Sequence, residues 1–452
     1  MEESKGSPVR FGTDGVRGEV GTELTAHLAQ RIGAAAAAVL RRKEKNGCSI
    51  IIGRDTRRSG PMLGLALASG IASSGCDACM AGVIPTPGVS YLTRAEGFLA
   101  GVVISASHNP AKDNGIKFFS TSGEKLPDGV EREIEKLLET PSEPQQAQGN
   151  QVGEIRDGSA LVSDYEEFLL STAGPVLASL RVVVDCANGA FCSIAPRVLE
   201  RLGAEVDAIF ADPENGEINF GCGSLHPESM RDHVRQSGAQ LGVSFDGDGD
   251  RAIFADENGC LVDGDRVLAI LSAFSMERGR LPGRRVVATV MSNIGLERAL
   301  TERGIDLVRT PVGDRFVWEE MKRTRASMGG EKSGHIIFSE FGTTGDGMIT
   351  TLQLLRVMTE TGKSLSELAQ VAREYPQVLI NIPVKRRDGW EEIPEIQAAI
   401  RTVEQELAES GRILVRASGT ESLLRVMTEG PDFALVRKHA ESVSAVIRRT
   451  LG

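Results

Sequence analysis

A chain of 452 residues is too long for one hydrophobic core and is expected to fold as several domains. With 41% hydrophobic and 25% charged residues it matches an ordinary globular protein, which excludes global disorder. A formal net charge of -11 argues against nucleic acid or an anionic membrane as partner, yet leaves room for a small anion held by local Arg and N–H groups.

The opening MEESKGSPVR has no apolar signal segment, and the alanine-rich run 32–40 is too short to span a bilayer. A cytoplasmic setting is therefore expected. The seven Cys fall at irregular spacing and read as small buried thiols; Cys76 and Cys79 form a CxxC with no second pair at zinc-ribbon distance. Next come a short buried strand over 49–52, a helix over 62–74, a strand over 98–104 and a helix over 130–138. A Pro- and Gln-rich stretch near residue 150 reads as a boundary. The pattern restarts with a helix over 164–170, a strand over 182–184, a helix over 195–202, and strands over 206–210 and 241–245. After Gly259 it restarts again, with helices over 266–276 and 295–303 and strands over 286–290 and 305–309. The tail differs: strand 378–384, long helix 394–410, strands 413–415 and 423–429, helix 433–450. Short strands alternating with helices imply parallel or mixed sheets. The fold class is thus three consecutive α/β domains with mixed sheets (1–158, 159–257 and 258–372), followed by a C-terminal α+β domain (373–452).

Four loops, one per domain, carry residue types suited to chemistry. Ser107, in Ser105–Pro110, stands just past a strand end, where α/β sheets place ligands; a turn or cap serine would look the same. Asp246, Asp248 and Asp250 alternate with glycines, so three hard oxygen ligands can turn onto one cation. A calcium-binding EF-hand loop would place Gly at its sixth position, where this chain has Arg251, and needs helices where the flanks read as strands. Three carboxylates that leave coordination positions open suit Mg2+, which shares its shell with phosphate. Gly329–His335 offers Glu331, Ser333 and His335 as partners for sugar hydroxyls and protons. Arg416, Ser418, Gly419 and Thr420, with Arg425 nearby, compose a phosphate cradle without a Walker pattern. No two loops are local in sequence, so they act together only by lining one cleft.

With those loops in place, the chain resembles the α-D-phosphohexomutase superfamily over nearly its whole length. Phe11–Gly18 (FGTDGVRG) and Gly53–Arg57 (GRDTR) are similar to its first two motifs, and Thr310–Arg315 (TPVGDR) to a third-domain motif. The stretches 104–119, 288–297, 343–347 and 377–381 are most similar to its bacterial amino-sugar branch. The chain departs from that branch at Lys332, Ser422 and Leu225, where Gln, Pro and Thr are usual.

The resemblance implies four domains around a central cleft, and interconversion of glucosamine 6-phosphate and glucosamine 1-phosphate. It implies Ser107 as a phosphoserine, one Mg2+ on Ser107, Asp246, Asp248 and Asp250, and a sugar 1,6-bisphosphate as primer and intermediate. Arg17, Lys117 and His335 are implied for proton transfer or charge stabilisation. Arg251, Glu331, Ser333, Arg416, Ser418, Gly419, Thr420 and Arg425 are implied to bind the phosphosugar, and the partner surface is that of a possible homodimer. The other expectations left open are a phosphomannomutase or phosphoglucomutase preference, a serine phosphohydrolase, and a non-catalytic metal-binding protein.

Overall fold

The computed structural model describes residues 10–12, 15–42, 48–140, 146–174, 177, 180–214, 216–418 and 422–452. Four sheets follow one another along the chain.

The first sheet is built from Val16–Glu19 (β1), Ser49–Arg54 (β2), Asp77–Val83 (β3), Ala100–Ile104 (β4), Asp113–Ser120 (β5) and Ile155–Asp157 (β6), in the order β1-β5-β4-β2-β3-β6. Side chains alternate across a strand, and the sequence uses both faces. Ile50, Ile52, Val102 and Ile104 join one core with Ala26–Arg41 (α1), Gly60–Ser73 (α2) and Asp128–Glu139 (α4). Gly53 and Gly101 point the other way, where Thr86–Ala95 (α3) packs so closely that a Cβ on either glycine would strike Val89. β2, β3, β4 and β6 run parallel, whereas β5 runs antiparallel to β4. The β4–β5 connection is the loop that carries Ser107.

The second sheet comprises Arg181–Asp185 (β7), Glu205–Ile209 (β8), Leu241–Phe245 (β9), Ala252–Asp256 (β10) and Leu261–Val262 (β11), in the order β11-β10-β9-β7-β8. Its helices are Leu161–Thr172 (α5), Ile194–Arg201 (α6) and Glu228–Ser237 (α7). β9 and β10 pair antiparallel with Phe245 opposite Ala252, so the acidic loop is the tip of a hairpin and its flanks are strands. The third sheet joins Arg285–Thr289 (β12), Asp306–Thr310 (β13), Met328–Gly330 (β14) and Ile336–Phe338 (β15), in the order β13-β12-β14-β15. Around it in sequence lie Gly264–Glu277 (α8), Ile294–Thr301 (α9), Asp314–Thr324 (α10), Gly347–Thr361 (α11) and Leu365–Ala369 (α12). The last sheet, Gln377–Pro383 (β16), Arg412–Ala417 (β17) and Leu423–Glu429 (β18), is antiparallel in the order β16-β18-β17. It carries Pro394–Leu407 (α13), with Pro394 in the first turn, and Phe433–Leu451 (α14). Their shared core includes Ile396, Leu424, Val426, Val443 and Ile447.

Contacts divide the chain into two compact units, residues 1–290 with 308–370 and residues 291–307 with 371–452. Within the second, buried Glu429 accepts from Asn293 Nδ2 (3.2 Å), Ile294 N (3.0 Å) and Gln377 Nε2 (2.9 Å), and pairs with Arg412. Among the described residues no helix is long and apolar enough to cross a membrane.

One expectation is corrected. Cys48 and Cys76 are not separate thiols but a disulfide. The parallel register puts Ser49 opposite Asp77, so the residues just before β2 and β3 stand side by side, 4.6 Å apart at Cα. Cys79 is therefore a free thiol and not half of a CxxC pair.

Candidate active site

Ser107 sits three residues beyond β4, nearly fully buried, with a backbone φ of 51°. That left-handed conformation is uncommon for a residue with a side chain. Its hydroxyl donates to Asp246 Oδ2 at 2.7 Å, across 139 residues of sequence. The serine loop and the acidic loop, both at strand ends, are thus one site.

Asp246, Asp248 and Asp250 are buried, and each offers a carboxylate oxygen within 4.8 Å of the others. Burial, with the Asp250 and Asp248 charges, pushes the Asp246 carboxyl well up. Burial works against ionised Asp250 too, but His335, Lys117 and Arg251 hold it well below the usual carboxylate range. Asp248 Oδ1 and Asp250 Oδ1 are buried without a hydrogen-bond partner among the described residues. Orphaned hard oxygens in a buried cluster of three carboxyls are what a divalent cation would satisfy. The residues present therefore fit Mg2+.

Cationic groups frame the triplet. Lys117, buried on β5, donates to Asp248 Oδ2 at 2.6 Å and lies 3.9 Å from Asp250. Thr86, the first residue of α3, also donates to Asp248 Oδ2 at 2.6 Å. Arg251 donates from its backbone to Asp246 Oδ1 (3.1 Å) and from Nη1 to His108 Nδ1 (3.0 Å). Burial and the Arg251 and Arg17 charges lower the His108 pKa to about 4, so its imidazole is a neutral acceptor. Arg17, on β1, is half-buried opposite Gly115 in the sheet.

The third loop lies between β14 and β15. Ser333 Oγ donates to Glu331 Oε2 at 3.4 Å, and Glu331 Oε1 accepts from Gly313 N at 3.2 Å. Lys332 Nζ lies 3.6 Å from Asp263 Oδ2. His335 is buried, and its Nε2 accepts from Gly345 N at 2.9 Å, which leaves Nδ1 to carry the proton facing Asp250 Oδ1 at 3.6 Å. Burial opposes a second proton, but Asp250, Asp314 and Glu331 favour it enough to raise the pKa to about 9. Taking that proton would break the Gly345 bond.

The fourth loop is in the other unit. Arg416 and Arg425 stand directly opposite across β17 and β18, a like-charge pair that costs stability unless an anion sits between. Burial and the Arg425 charge lower the Arg416 pKa, and Arg416 Nε is buried without a hydrogen-bond partner among the described residues. Arg425 Nη2 is 3.4 Å from Ser418 Oγ, whose residue is buried. Gly419 and Thr420 lie outside the described residues.

Sequence reasoning passed over Thr86 and Asn219, and noted Arg57 only within a motif. Asn219 donates to the carbonyls of Ser107 (2.9 Å) and Asn109 (3.1 Å), yet nothing in its local pattern marks it. Thr86 carries a weak signal, a Thr-Pro at the start of a helix.

Three α/β units and an antiparallel C-terminal unit, with a serine against a buried carboxylate triplet, define a multidomain enzyme of phosphoryl transfer. Four family models match in series: phosphoglucomutase/phosphomannomutase α/β/α domain I over residues 8–145, domain II over 166–259, domain III over 263–375 and the C-terminal domain over 379–446. The chain belongs to the phosphoglucomutase/phosphomannomutase family. It is 51% identical over 446 residues to phosphoglucosamine mutase of Symbiobacterium thermophilum, covering 98% of this chain and 100% of that one. The fold is similar to that of a phosphoglucomutase/phosphomannomutase family protein from Burkholderia thailandensis, with TM-score 0.80, 22% identity and 98% of both chains covered. It is also similar to Aspergillus fumigatus N-acetylphosphoglucosamine mutase in complex with GlcNAc-6P and magnesium, with TM-score 0.71, 19% identity, and 99% of this chain and 97% of that one covered.

Proposed function

We propose that this enzyme interconverts glucosamine 6-phosphate and glucosamine 1-phosphate through phospho-Ser107 and a sugar 1,6-bisphosphate. The carrying observation is the 2.7 Å contact between the Ser107 hydroxyl and a buried triplet of carboxylates. The 51% identity to a phosphoglucosamine mutase supports the choice of sugar.

In the first half-reaction the free hydroxyl of the sugar phosphate attacks the phosphoserine. A new P–O bond to the sugar forms as the bond to Ser107 Oγ breaks. The attacking hydroxyl gives up a proton and Ser107 Oγ takes one up, so the step is balanced. The second half repeats the exchange in reverse on the other phosphate. Mg2+ held by Ser107, Asp246, Asp248 and Asp250 would supply Lewis-acid neutralisation of the phosphoryl oxygens. Lys117 adds positive charge against Asp248 and Asp250, and Arg17 adds it near His108. His335 is assigned to orienting Asp250, because Nδ1 faces Asp250 Oδ1 at 3.6 Å and carries a proton in either charge state. Glu331, Ser333 and Arg251 bind the sugar, and Arg416, Ser418, Gly419, Thr420 and Arg425 bind the phosphate that is not reacting. Orientation of the two reactants supplies about 7–11 kcal/mol of the acceleration.

The same reading divides the chain at 158/159, 257/258 and 372/373, supported by where the family models fall. Phosphorylated sugars do not cross membranes unaided, so the enzyme works in the cytoplasm with them. It is read as a homodimer, since α2 is apolar on all sides and exposes Met62 (44%) and Leu65 (58%). A single-chain mass in sedimentation equilibrium would count against that pairing.

A substrate panel tests the activity. The specificity constant is expected to be highest for glucosamine phosphate. A higher value for mannose or glucose phosphates would overturn the choice of sugar, and release of inorganic phosphate without isomerisation would overturn the mutase reading.

A further inference from the structure

Ser107 is held by its backbone, and the holding groups come from elsewhere in the first unit. Its φ is 51°, and its carbonyl meets two side-chain donors. The oxygen accepts from Arg57 Nη2 at 3.0 Å and from Asn219 Nδ2 at 2.9 Å. The same two donors reach the Asn109 carbonyl, at 2.8 and 3.1 Å, and Arg57 Nη1 takes the Pro110 carbonyl at 2.5 Å. Arg57 Nε is fixed on Asp55 Oδ2 at 2.9 Å, and both side chains are fully buried.

Asp55 also governs the other side of the serine. Its Oδ2 accepts from the Ser105 hydroxyl at 2.6 Å, and Ser105 Oγ accepts from Ser107 N at 2.9 Å. A closed ring results, from Asp55 through Ser105 to the Ser107 N–H, and from the Ser107 carbonyl through Arg57 back to Asp55. Asn219 closes the ring from the second sheet's side. Its own φ is 61°, and its backbone N–H is tied to the Ala187 carbonyl at 3.0 Å. Asn219 therefore links the loop that bears the nucleophile to the domain that bears the carboxylate triplet.

We propose that Arg57 and Asn219 are positioning residues that hold the Ser107 main chain in its left-handed conformation, so that Oγ stays against Asp246. This rests on the reading of Ser107 as nucleophile. A left-handed non-glycine residue persists only where its surroundings over-determine it; here two donors hold the Ser107 carbonyl and three more contacts hold the Asn109 and Pro110 carbonyls that follow. A buried guanidinium that gives four hydrogen bonds to loop carbonyls and one carboxylate is a positioning device first, since such a pair adds little net stability over an apolar core.

The test uses the full-length phosphoenzyme, labelled on the phosphoryl group, in single turnover with glucosamine 6-phosphate beside steady-state kinetics. Asn219→Gly removes the amide donor while keeping a residue that tolerates the left-handed backbone. It is expected to lower the transfer rate and kcat on the order of 10²-fold, with KM and the melting temperature unchanged. Arg57→Lys keeps a cation opposite Asp55 but loses the fork, and it is expected to fall at least as far. Where Arg57→Lys also lowers the melting temperature, the half-buried Asn219→Gly decides the matter. Unchanged transfer in Asn219→Gly overturns the proposal, as does a loss that appears only in KM or only with a fall in melting temperature. Ser107→Ala in the steady-state arm separates the two readings. If it keeps near-normal turnover, the nucleophile assignment fails; if it is inactive while Asn219→Gly is normal, only the positioning role fails.

Discussion

A Cβ on Gly247 would lie 2.7 Å from the Ser107 carbonyl oxygen and 2.8 Å from Asn219 Nδ2. The second residue of the acidic loop is therefore a spacer that lets two loops touch. Gly247→Ala is expected to push them apart and lower kcat on the order of 10²-fold, because a displacement near 1 Å at a phosphoryl-transfer site costs about that much. Near-normal turnover in that variant would show that the contact is not tight in solution. At this scale the sequence was readable where chemistry leaves a local mark. Three Asp spaced by Gly, and a Ser just past an apolar strand, advertise themselves. Asn219 and Thr86 do not, because their partners lie 112 and 162 residues away and their own surroundings carry no pattern.

Helix α11 begins on Asp346, whose Oδ1 accepts from Met348 N (2.9 Å) and Ile349 N (3.0 Å) while Oδ2 accepts from Tyr165 (2.7 Å). Burial raises its pKa from 3.8 to about 6, although these three hydrogen bonds lower it. A carboxyl with a raised folded pKa binds its proton more tightly in the native state. Its contribution is full below the unfolded value and is lost as pH rises toward about 6. Asn keeps the cap without the charge. Asp346→Asn is thus expected to gain stability relative to the parent as pH rises from 3.8 to about 6, by up to ~3 kcal/mol, and to hold that gain above it. Denaturation of the two proteins across that range measures it; a difference that does not change with pH contradicts the assignment. The strongly periodic α14 and the long apolar run of α2 were legible within a few residues. α3 was not, because Thr-Pro-Gly at its start looks like a turn. Burial against Gly53 and Gly101 overrides that local preference.

Across the whole chain, the repeated restarts of strand and helix revealed the number of domains and the tail's different character. They could not reveal that residues 291–307 group with 371–452, since the tie is Glu429, 136 residues from Asn293. Nor could spacing reveal the Cys48–Cys76 bond, which depends on which strands are neighbours. What the molecule as a whole must do is carry a phosphoryl group on one hydroxyl and surrender it to a sugar. The most direct measurement is intact-mass spectrometry of the purified full-length enzyme, with the phosphopeptide mapped, before and after one equivalent of glucosamine 6-phosphate. The account expects one phosphoryl group on Ser107, discharged on mixing as a sugar bisphosphate appears. A phosphoryl group on another residue, or a Ser107 phosphate that stays in place while the sugar turns over, would contradict it.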